Sequence, residues 1–154
     1  MIGPITAHFS GGGLHGILGP NGSGKSTLLK CICRIWDPSA GQVLWKGKDL
    51  HKRERRELSS LVTMVMQDPS PPGVFSVWDI VEMGLYARGS GKLTKKEEKR
   101  QIEQALELTE TLPLAEACIS EISAGEKQRV YLARALSTDA ELILLDELCS
   151  NLDI

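Results

Sequence analysis

One glycine-rich stretch has the residue types and the spacing of a phosphate-binding loop. Residues 19–26 read Gly-Pro-Asn-Gly-Ser-Gly-Lys-Ser and fit the pattern G-x-x-x-x-G-K-[ST]. Glycines let the backbone curl tightly enough for several N–H groups to converge on one phosphate. Lys25 then brings an ammonium group to the terminal phosphates, and the hydroxyl of Ser26 can coordinate Mg²⁺. The alternative interpretation is a glycine-rich turn that binds nothing.

The elements predicted on either side of this loop favour the phosphate-binding interpretation. Residues 14–18 form a short apolar run that predicts a buried strand before the loop. Residues 26–36 predict a helix after it, with apolar side chains at helical spacing: Leu28, Leu29, Ile32 and Ile35. A helix that begins at the loop adds the positive end of its dipole to the phosphate site.

Two further strands and a charged segment follow. Residues 42–45 predict a strand that ends in a turn over residues 46–48, and residues 61–66 predict a second apolar strand. The charged residues 51–57 predict a solvated helix face rather than a nucleic-acid-binding patch.

The middle of the chain is predicted to be helical. Ser76 can cap a first helix, and Thr94 with Glu97 forms a capping-box pattern that opens a second, charged helix. The apolar positions of the two helices are Val77, Ile80, Val81 and Leu85, and then Ile102, Ala105 and Leu106. Residues 74–117 are therefore expected to form a helical subdomain.

Two acidic residues follow the last predicted strand. A helix from Ser123 to about residue 137 leads into the apolar run 142–145, which predicts a buried parallel strand. Asp146 and Glu147 come directly after it, at the edge where ligands bind in open parallel sheets. Asp146 can hold Mg²⁺ through water, and Glu147 can polarise an attacking water as a general base. The alternative is a pair of surface acids.

These elements together predict an α/β fold with a parallel sheet. Residues 1–73 and 118–154 are expected to form the core, and the helical subdomain interrupts it.

The motifs also resemble, in type and order, those of the ATP-binding subunits of ABC transporters. Residues 122–130, Ile-Ser-Ala-Gly-Glu-Lys-Gln-Arg-Val, resemble the family's signature L-S-G-G-Q followed by Q-R-V. Gln67 is similar to the family's Q-loop glutamine, and residues 150–153 resemble its D-loop. A plainer interpretation makes Ser123 and Glu126 a capping box, and the two are compatible because a capped helix N-terminus is itself an anion site.

The resemblance implies one ABC-type ATPase domain with a P-loop NTPase core, and ATP with Mg²⁺ as its ligands. It implies Glu147 and Gln67 as catalytic residues and Ser26, Gln67 and Asp146 as metal-site residues. The nucleotide-binding residues that it implies are Gly19, Pro20, Asn21, Gly22, Ser23, Gly24, Lys25, Ser26, Thr27, Ser123, Ala124, Gly125, Glu126 and Asp153.

Partners and a location are implied in the same way. ABC ATPases act as two nucleotide-binding domains facing head to tail, so that each ATP lies between the loop of one domain and the signature of the other. Their ATP cycle drives transmembrane permease subunits, with the ATPase bound peripherally at the cytoplasmic face of the cell membrane. Gln67 and the helical subdomain carry that coupling. The stretches 77–84, 133–136 and 151–154 are similar to the ATPases of iron-siderophore, haem or cobalamin importers.

Four departures from the family pattern lower the activity expected of this chain. Ala124 stands where the signature usually has glycine, and Leu148 with Cys149 follows Glu147 where proline and a hydroxyl residue are usual. The sequence also lacks the early adenine-stacking aromatic residue and the late switch histidine of the family. We therefore expect a truncated domain that binds Mg-ATP weakly and hydrolyses it slowly or not at all. A non-hydrolytic nucleotide-binding module is the alternative.

Composition argues against other classes of protein. The 154 residues carry 18 basic and 20 acidic side chains, and a formal net charge of −2 excludes a strongly basic nucleic-acid binder. No apolar run approaches the roughly 20 residues of a membrane span. Soluble ABC ATPases of DNA repair carry long coiled coils, for which residues 25–123 leave no room. The four cysteines lack the spacing of a zinc site and are expected to be reduced, buried thiols.

Overall fold

The described part of the chain forms two compact units. The computed structural model describes residues 3–66, 74–88 and 93–146, and the boundary between the units lies between Lys52 and Arg53. Each unit has its own secondary-structure elements.

The first unit contains the glycine-rich loop, one helix and a hairpin. Helix α1 spans Lys25–Ile32, and strand β1, Leu44–Trp45, pairs antiparallel with strand β2, Lys48–Asp49. Lys46 and Gly47 have φ angles of 48° and 75°, the left-handed pair that a two-residue hairpin turn requires. The predicted strand and turn are confirmed, although the strand is shorter than expected.

Helix α1 ends earlier than the sequence pattern predicts. Arg34 adopts a left-handed φ of 56°, and the N–H groups of Ile35 and Trp36 donate back to the Lys30 carbonyl at 2.9 and 3.2 Å. A left-handed residue of this kind closes a helix by satisfying its last carbonyls. Ile35 and Trp36 are exposed as a result, so the predicted apolar stripe does not extend to Ile35.

His51 fastens the C-terminal end of α1. Its Nε2 donates to the Cys31 carbonyl at 2.7 Å, and its Nδ1 lies 3.3 Å from Oδ1 of Asp37. The last carbonyls of a helix have no partner inside the helix, so this contact stabilises α1. The backbone N–H of His51 donates to the Asp49 carboxylate at 3.0 Å, which ties the histidine to β2.

The buried strand predicted over residues 14–18 is wrong. The segment has no strand pairing, and the side chains of Leu14 and Leu18 are each 95% exposed. A strand needs a neighbour to satisfy its backbone N–H and C=O groups. Among the described residues, the segment is absent from both two-stranded sheets, so it has no such neighbour.

The second unit places helices against a pair of parallel strands. Helix α2, Arg55–Leu61, leads into strand β3, Val62–Val65, which pairs in parallel with strand β4, Leu142–Leu145. Between the strands come α3, Val77–Glu82, α4, Lys95–Leu108, and α5, Ala124–Ser137. The 3₁₀ turns of the chain span Leu50–Lys52, Met83–Arg88 and Leu112–Leu114. Parallel strands connected through helices agree with the predicted α/β class.

The charged segment at residues 51–57 differs from its prediction. The first part is a 3₁₀ turn, and α2 begins only at Arg55. The Arg53 guanidinium forms an ion pair with the Glu57 carboxylate, with 2.6 Å between Nη1 and Oε1.

The predicted bounds of the helical subdomain, residues 74–117, stay a prediction.

Helices α3, α4 and α5 each begin with a capping box. In each, a carboxylate accepts from the backbone N–H of the cap residue, and the cap hydroxyl accepts from the N–H of the acidic residue. The pairs are Ser76 with Asp79, Thr94 with Glu97, and Ser123 with Glu126. These hydrogen bonds lower the pKa of all three carboxyl groups, which are therefore charged at neutral pH.

The hydrophobic core of the second unit lies between the helices and β3. Helices α3 and α4 both pack against α5, and α5 also packs against β3. The core side chains with almost no exposure are Val65, Val77, Ile80, Val81, Ile102, Leu106 and Val130. The apolar faces predicted for α3 and α4 are confirmed.

Strand β4 is less buried than predicted. Among its residues only Leu144 is buried, and Leu145 is exposed. A parallel strand is buried throughout only where both sheet faces are covered and both edges are paired. In the described structure β4 has β3 as its one partner strand, so part of its surface faces solvent.

Gly84 lies directly against the end of α5. A Cβ at this position would overlap the Ser137 hydroxyl and the Arg134 carbonyl oxygen. The buried Ser137 hydroxyl lies 2.8 Å from the Val81 carbonyl oxygen and 2.9 Å from that of Arg134. Nε2 of Gln101 donates to the Ser137 carbonyl at 2.7 Å. Residues from α3, α4 and α5 therefore meet at one point.

Candidate functional site

The glycine-rich loop has the tight curvature that a phosphate site needs. Gly22 and Gly24 have left-handed φ angles of 79° and 96°, and Gly24 is the N-cap residue directly before α1. A Cβ on Gly19 would lie 2.8 Å from the Ser23 hydroxyl oxygen, closer than packed atoms approach. The left-handed backbone favours glycine at positions 22 and 24, and a side chain at position 19 would force the Ser23 hydroxyl to move.

Lys25 is folded back over the loop. Its Nζ donates to the carbonyl oxygens of Gly19 and Pro20 at 2.9 and 3.0 Å. An ammonium group carries three donors, and here at least two of them are held by neutral carbonyl groups. A phosphate oxygen bears more negative charge than a carbonyl and forms the stronger, charge-assisted bond. The arrangement therefore holds a cation ready for an anionic ligand.

The remaining loop residues lead into the first turn of α1. Ser26 and Thr27 belong to that turn and are half-buried, whereas Pro20 and Asn21 are exposed. The N–H of Ser23 donates to the Pro20 carbonyl at 3.2 Å and closes the turn between them. The N-terminal end of α1 is thus surrounded by the loop, and the helix dipole favours negative charge there.

The signature-like motif lies at the start of α5 in the second unit. Ser123 is the cap residue, and Ala124, Gly125 and Glu126 form the first turn. One carboxylate oxygen of Glu126, Oε2, accepts from the Ser123 backbone N–H at 2.8 Å and from its hydroxyl at 2.6 Å. The hydrogen bond from the Ser123 hydroxyl is the largest cause of the lowered pKa of Glu126. The donor groups of Ser123 are therefore directed at a neighbouring anion of the same chain.

Ala124 is compatible with its position. It is the first residue of α5 and has a helical backbone, whereas a left-handed φ would have required glycine. A Cβ added to Gly125 would meet no atom within 4 Å, so the space in front of this turn is open. The substitution of alanine for the usual glycine therefore introduces no backbone strain.

Asp146 follows β4 and continues its pairing. Its backbone N–H donates to the Val65 carbonyl at 3.0 Å, and the residue is 9% exposed. Its carboxylate therefore lies at the carboxyl end of the parallel strand pair, as predicted. A carboxylate oxygen is a suitable ligand for Mg²⁺, as is the Ser26 hydroxyl of the first unit.

Several predicted site residues lie outside the described residues. Gln67, Glu147 and Asp153 are among them, as are Leu148 and Cys149, which depart from the family pattern. The loop belongs to the first unit, and the signature-like turn with Asp146 belongs to the second. The roles given to all these side chains therefore stay predictions.

Sequence reasoning missed two supporting contacts. The sequence predicts the capping box of Ser123 and Glu126, but it does not reveal that Glu126 accepts from both the backbone N–H and the hydroxyl of Ser123. The contact of His51 with the end of α1 was also missed, because nothing in the local sequence pairs His51 with Cys31.

Burial raises the pKa of the Cys33 thiol to about 11, so this cysteine stays protonated and unreactive at neutral pH.

Residues 3–66, 74–88 and 93–146 contain neither a metal-ligand cluster nor a membrane-spanning helix. In these ranges no group of three or more His, Cys, Asp or Glu side chains could hold a metal ion. No helix in the described ranges is both long and apolar enough to cross a membrane.

Comparison with known proteins decides the family. A family model described as "ABC transporter" matches residues 2–150. The chain belongs to the ABC transporter family. This match confirms the family resemblance of the loop, the signature-like motif and the acidic pair.

Two relatives of this ABC transporter chain are named as import ATP-binding proteins. It is 39% identical over 140 residues to the iron(3+)-hydroxamate import ATP-binding protein of Bacillus subtilis, covering 90% of this chain and 52% of the relative. It is 35% identical over 154 residues to a cobalamin import ATP-binding protein of Halobacterium salinarum, covering 100% of this chain and 38% of the relative. The chain therefore spans about half the length of the first relative and less of the second.

Solved structures confirm the predicted α/β fold of the P-loop NTPase type. cbiO1 from Clostridium perfringens, described as part of an ABC transporter complex, matches with a TM-score of 0.75 and 31% identity, covering 88% of this chain and 54% of that chain. An inward-facing putative metal-chelate type ABC transporter matches with a TM-score of 0.72 and 32% identity, covering 89% of this chain and 50% of that chain.

Proposed function

We propose that the protein carrying this chain binds and hydrolyses Mg-ATP as the nucleotide-binding subunit of an ABC importer. The observation that carries the proposal is the loop of the first unit, with its left-handed glycines and the Lys25 ammonium turned onto the loop carbonyls. Membership of the ABC transporter family supports ATP as the phosphate-bearing ligand.

The residues divide the work of binding and hydrolysis. The loop N–H groups and Lys25 would hold the β- and γ-phosphates. Ser26 and Gln67 would hold Mg²⁺, and Asp146 would hold it through water. The metal ion, when bound, neutralises negative charge on the phosphates. Glu147 orients and polarises the attacking water, and Gln67 reports the state of the γ-phosphate to the helical subdomain.

An iron-chelate or cobalamin importer is the class that we propose for the whole protein. Relatives named for the import of iron(3+)-hydroxamate, petrobactin and cobalamin support it, and haem remains in the same class of bulky metal chelates. These names favour transport over the two alternatives, a non-hydrolytic module and a soluble ATPase of DNA repair.

The partners follow from the same proposal. Transmembrane permease subunits use the ATP cycle, and a second nucleotide-binding domain, identical or not, supplies the facing signature motif. A pair of nucleotide-binding domains is supported by the likeness to a dimeric bacterial ABC transporter cassette, with a TM-score of 0.74 and 27% identity. The protein then lies peripherally at the cytoplasmic face of the membrane.

Replacing Lys25 with alanine tests the phosphate-binding loop. We expect ATP affinity to fall by at least about tenfold, because Lys25 is the ammonium group that the loop directs at the terminal phosphates. The measurement is a fluorescent-nucleotide titration. Lys30→Ala is the matched control, since Lys30 lies in the last turn of the same helix, over the Trp36 ring. Equal affinities for the Lys25→Ala variant and the unaltered protein would refute the assignment.

Replacing Ser123 with alanine tests whether the signature-like turn serves a partner's nucleotide. The cost should be about 1 kcal/mol of unfolding free energy, because a helix cap is lost. ATP binding to a single subunit should remain nearly unchanged. Thr94→Ala removes an equivalent cap from α4 and provides the control for stability. If Ser123→Ala lowers single-subunit affinity and Thr94→Ala does not, then Ser123 contacts nucleotide within its own subunit.

A further inference from the structure

The carboxylate of Glu126 occupies the hydrogen-bond donors of the signature-like turn. Its Oε2 accepts from both donors of Ser123, the backbone N–H and the hydroxyl. The N–H of Glu126 lies 3.3 Å from the Ser123 hydroxyl oxygen, which is a long hydrogen bond. A hydroxyl has one proton, and here that proton is directed at the carboxylate.

The same carboxylate also uses the positive end of α5. Helix N-termini favour negative charge, and Glu126 lies in the first turn. Its hydrogen bonds to Ser123 lower its pKa, and Arg129 is the charged side chain that adds to this effect. Glu126 is therefore an anion at neutral pH, located where a phosphate approaching this turn would also be stabilised.

We propose that the Glu126 side chain competes with a bound nucleotide for the hydrogen-bond donors of Ser123. The Glu126 carboxylate must move away from Ser123 before the signature-like turn can bind the nucleotide of a second copy of the chain. The inference rests on the proposed function, in which the turn contacts a partner's γ-phosphate. Its approach is open, because Ser123, Ala124 and Gly125 are exposed. Displacement breaks two hydrogen bonds to Glu126 and brings two anions together, so Glu126 weakens the ATP-bound pair.

The capping box of α4 is a structural twin that isolates this effect. Glu97 Oε2 accepts from the Thr94 N–H and hydroxyl, both at 2.7 Å, and the N–H of Glu97 lies 3.3 Å from the Thr94 hydroxyl oxygen. These distances match those at Ser123 to within 0.1 Å. Replacing either glutamate with glutamine keeps an accepting oxygen and removes one charge, so any loss of helix capping should be the same in both variants.

The test measures the association of two fluorescently labelled copies of the chain with a slowly hydrolysed ATP analogue and Mg²⁺. We expect Glu126→Gln to tighten nucleotide-dependent association by about fivefold, the value of one like-charge contact at about 4 Å in the dielectric of water. Glu97→Gln should leave this association unchanged. The gain should shrink as salt rises from about 50 mM to about 500 mM, because charge repulsion is screened. A purely structural role for Glu126 predicts no such salt dependence.

Two results would overturn the inference, and they differ in what they say about the proposed function. If Ser123→Ala weakens association but Glu126→Gln does not tighten it, the turn binds nucleotide and Glu126 is no competitor. If two copies of the chain do not associate in the presence of the analogue, although each copy binds the analogue in a Lys25-dependent way, then the proposed pairing of two such subunits is wrong as well.

Discussion

Replacing Gly84 with alanine is expected to lower the free energy of unfolding of this chain by about 3 kcal/mol. The new Cβ would overlap the Ser137 hydroxyl and the Arg134 carbonyl oxygen, and one of these atoms is backbone. Relief therefore requires the 3₁₀ turn Met83–Arg88 and α5 to separate. Separation also strains the hydrogen bonds of Ser137, which is fully buried. The measurement is chemical denaturation monitored by circular dichroism.

Gly125→Ala is the matched control for this variant. Gly125 lies in α5, its Cβ would meet no atom within 4 Å, and alanine is a better helix former than glycine. We expect its unfolding free energy to stay the same or to rise by up to about 1 kcal/mol. If both variants were equally stable, the close approach of Gly84 to α5 would be refuted.

The comparison of Gly84 with Gly125 illustrates which parts of the fold the sequence could predict. Local patterns sufficed for α4 and α5, where an apolar face and a capping box within a few residues define each helix. They did not reveal the contact of Gly84 with Ser137, because it depends on how two distant segments pack. The prediction of a buried strand over residues 14–18 failed for the same reason, since pairing between strands is not a local property.

The site shows a similar division. The position of Lys25 at the start of a helix could be predicted because the motif contains the glycines, the lysine and the start of the helix within eight residues, and its phosphate chemistry stays a prediction. The competition between Glu126 and a ligand for Ser123 could not, because it depends on which rotamer the glutamate adopts. The early end of α1 depends on Arg34 taking a left-handed backbone, which sequence patterns assign to glycine rather than arginine.

Replacing Glu147 with glutamine is expected to lower the rate of ATP hydrolysis by about 10²- to 10⁴-fold, the range for loss of a general base. Nucleotide binding should be retained, because Lys25 and the loop make the phosphate contacts. The measurement combines single-turnover hydrolysis with a nucleotide titration, on the protein that carries this chain. Glu141→Gln is the matched control, since Glu141 directly precedes β4 and Glu147 comes after its carboxyl end.

The position of Glu147 in the sequence is the reason for expecting a selective effect. The backbone N–H of Asp146 bonds to the Val65 carbonyl at 3.0 Å, and Asp146 is 9% exposed. Glu147 follows Asp146 in the sequence, and its place at the ligand-binding edge of the sheet stays a prediction. A variant that loses nucleotide affinity together with turnover would indicate that Glu147 supports binding instead. Turnover at the unaltered rate in Glu147→Gln would refute the role of Glu147 as the general base.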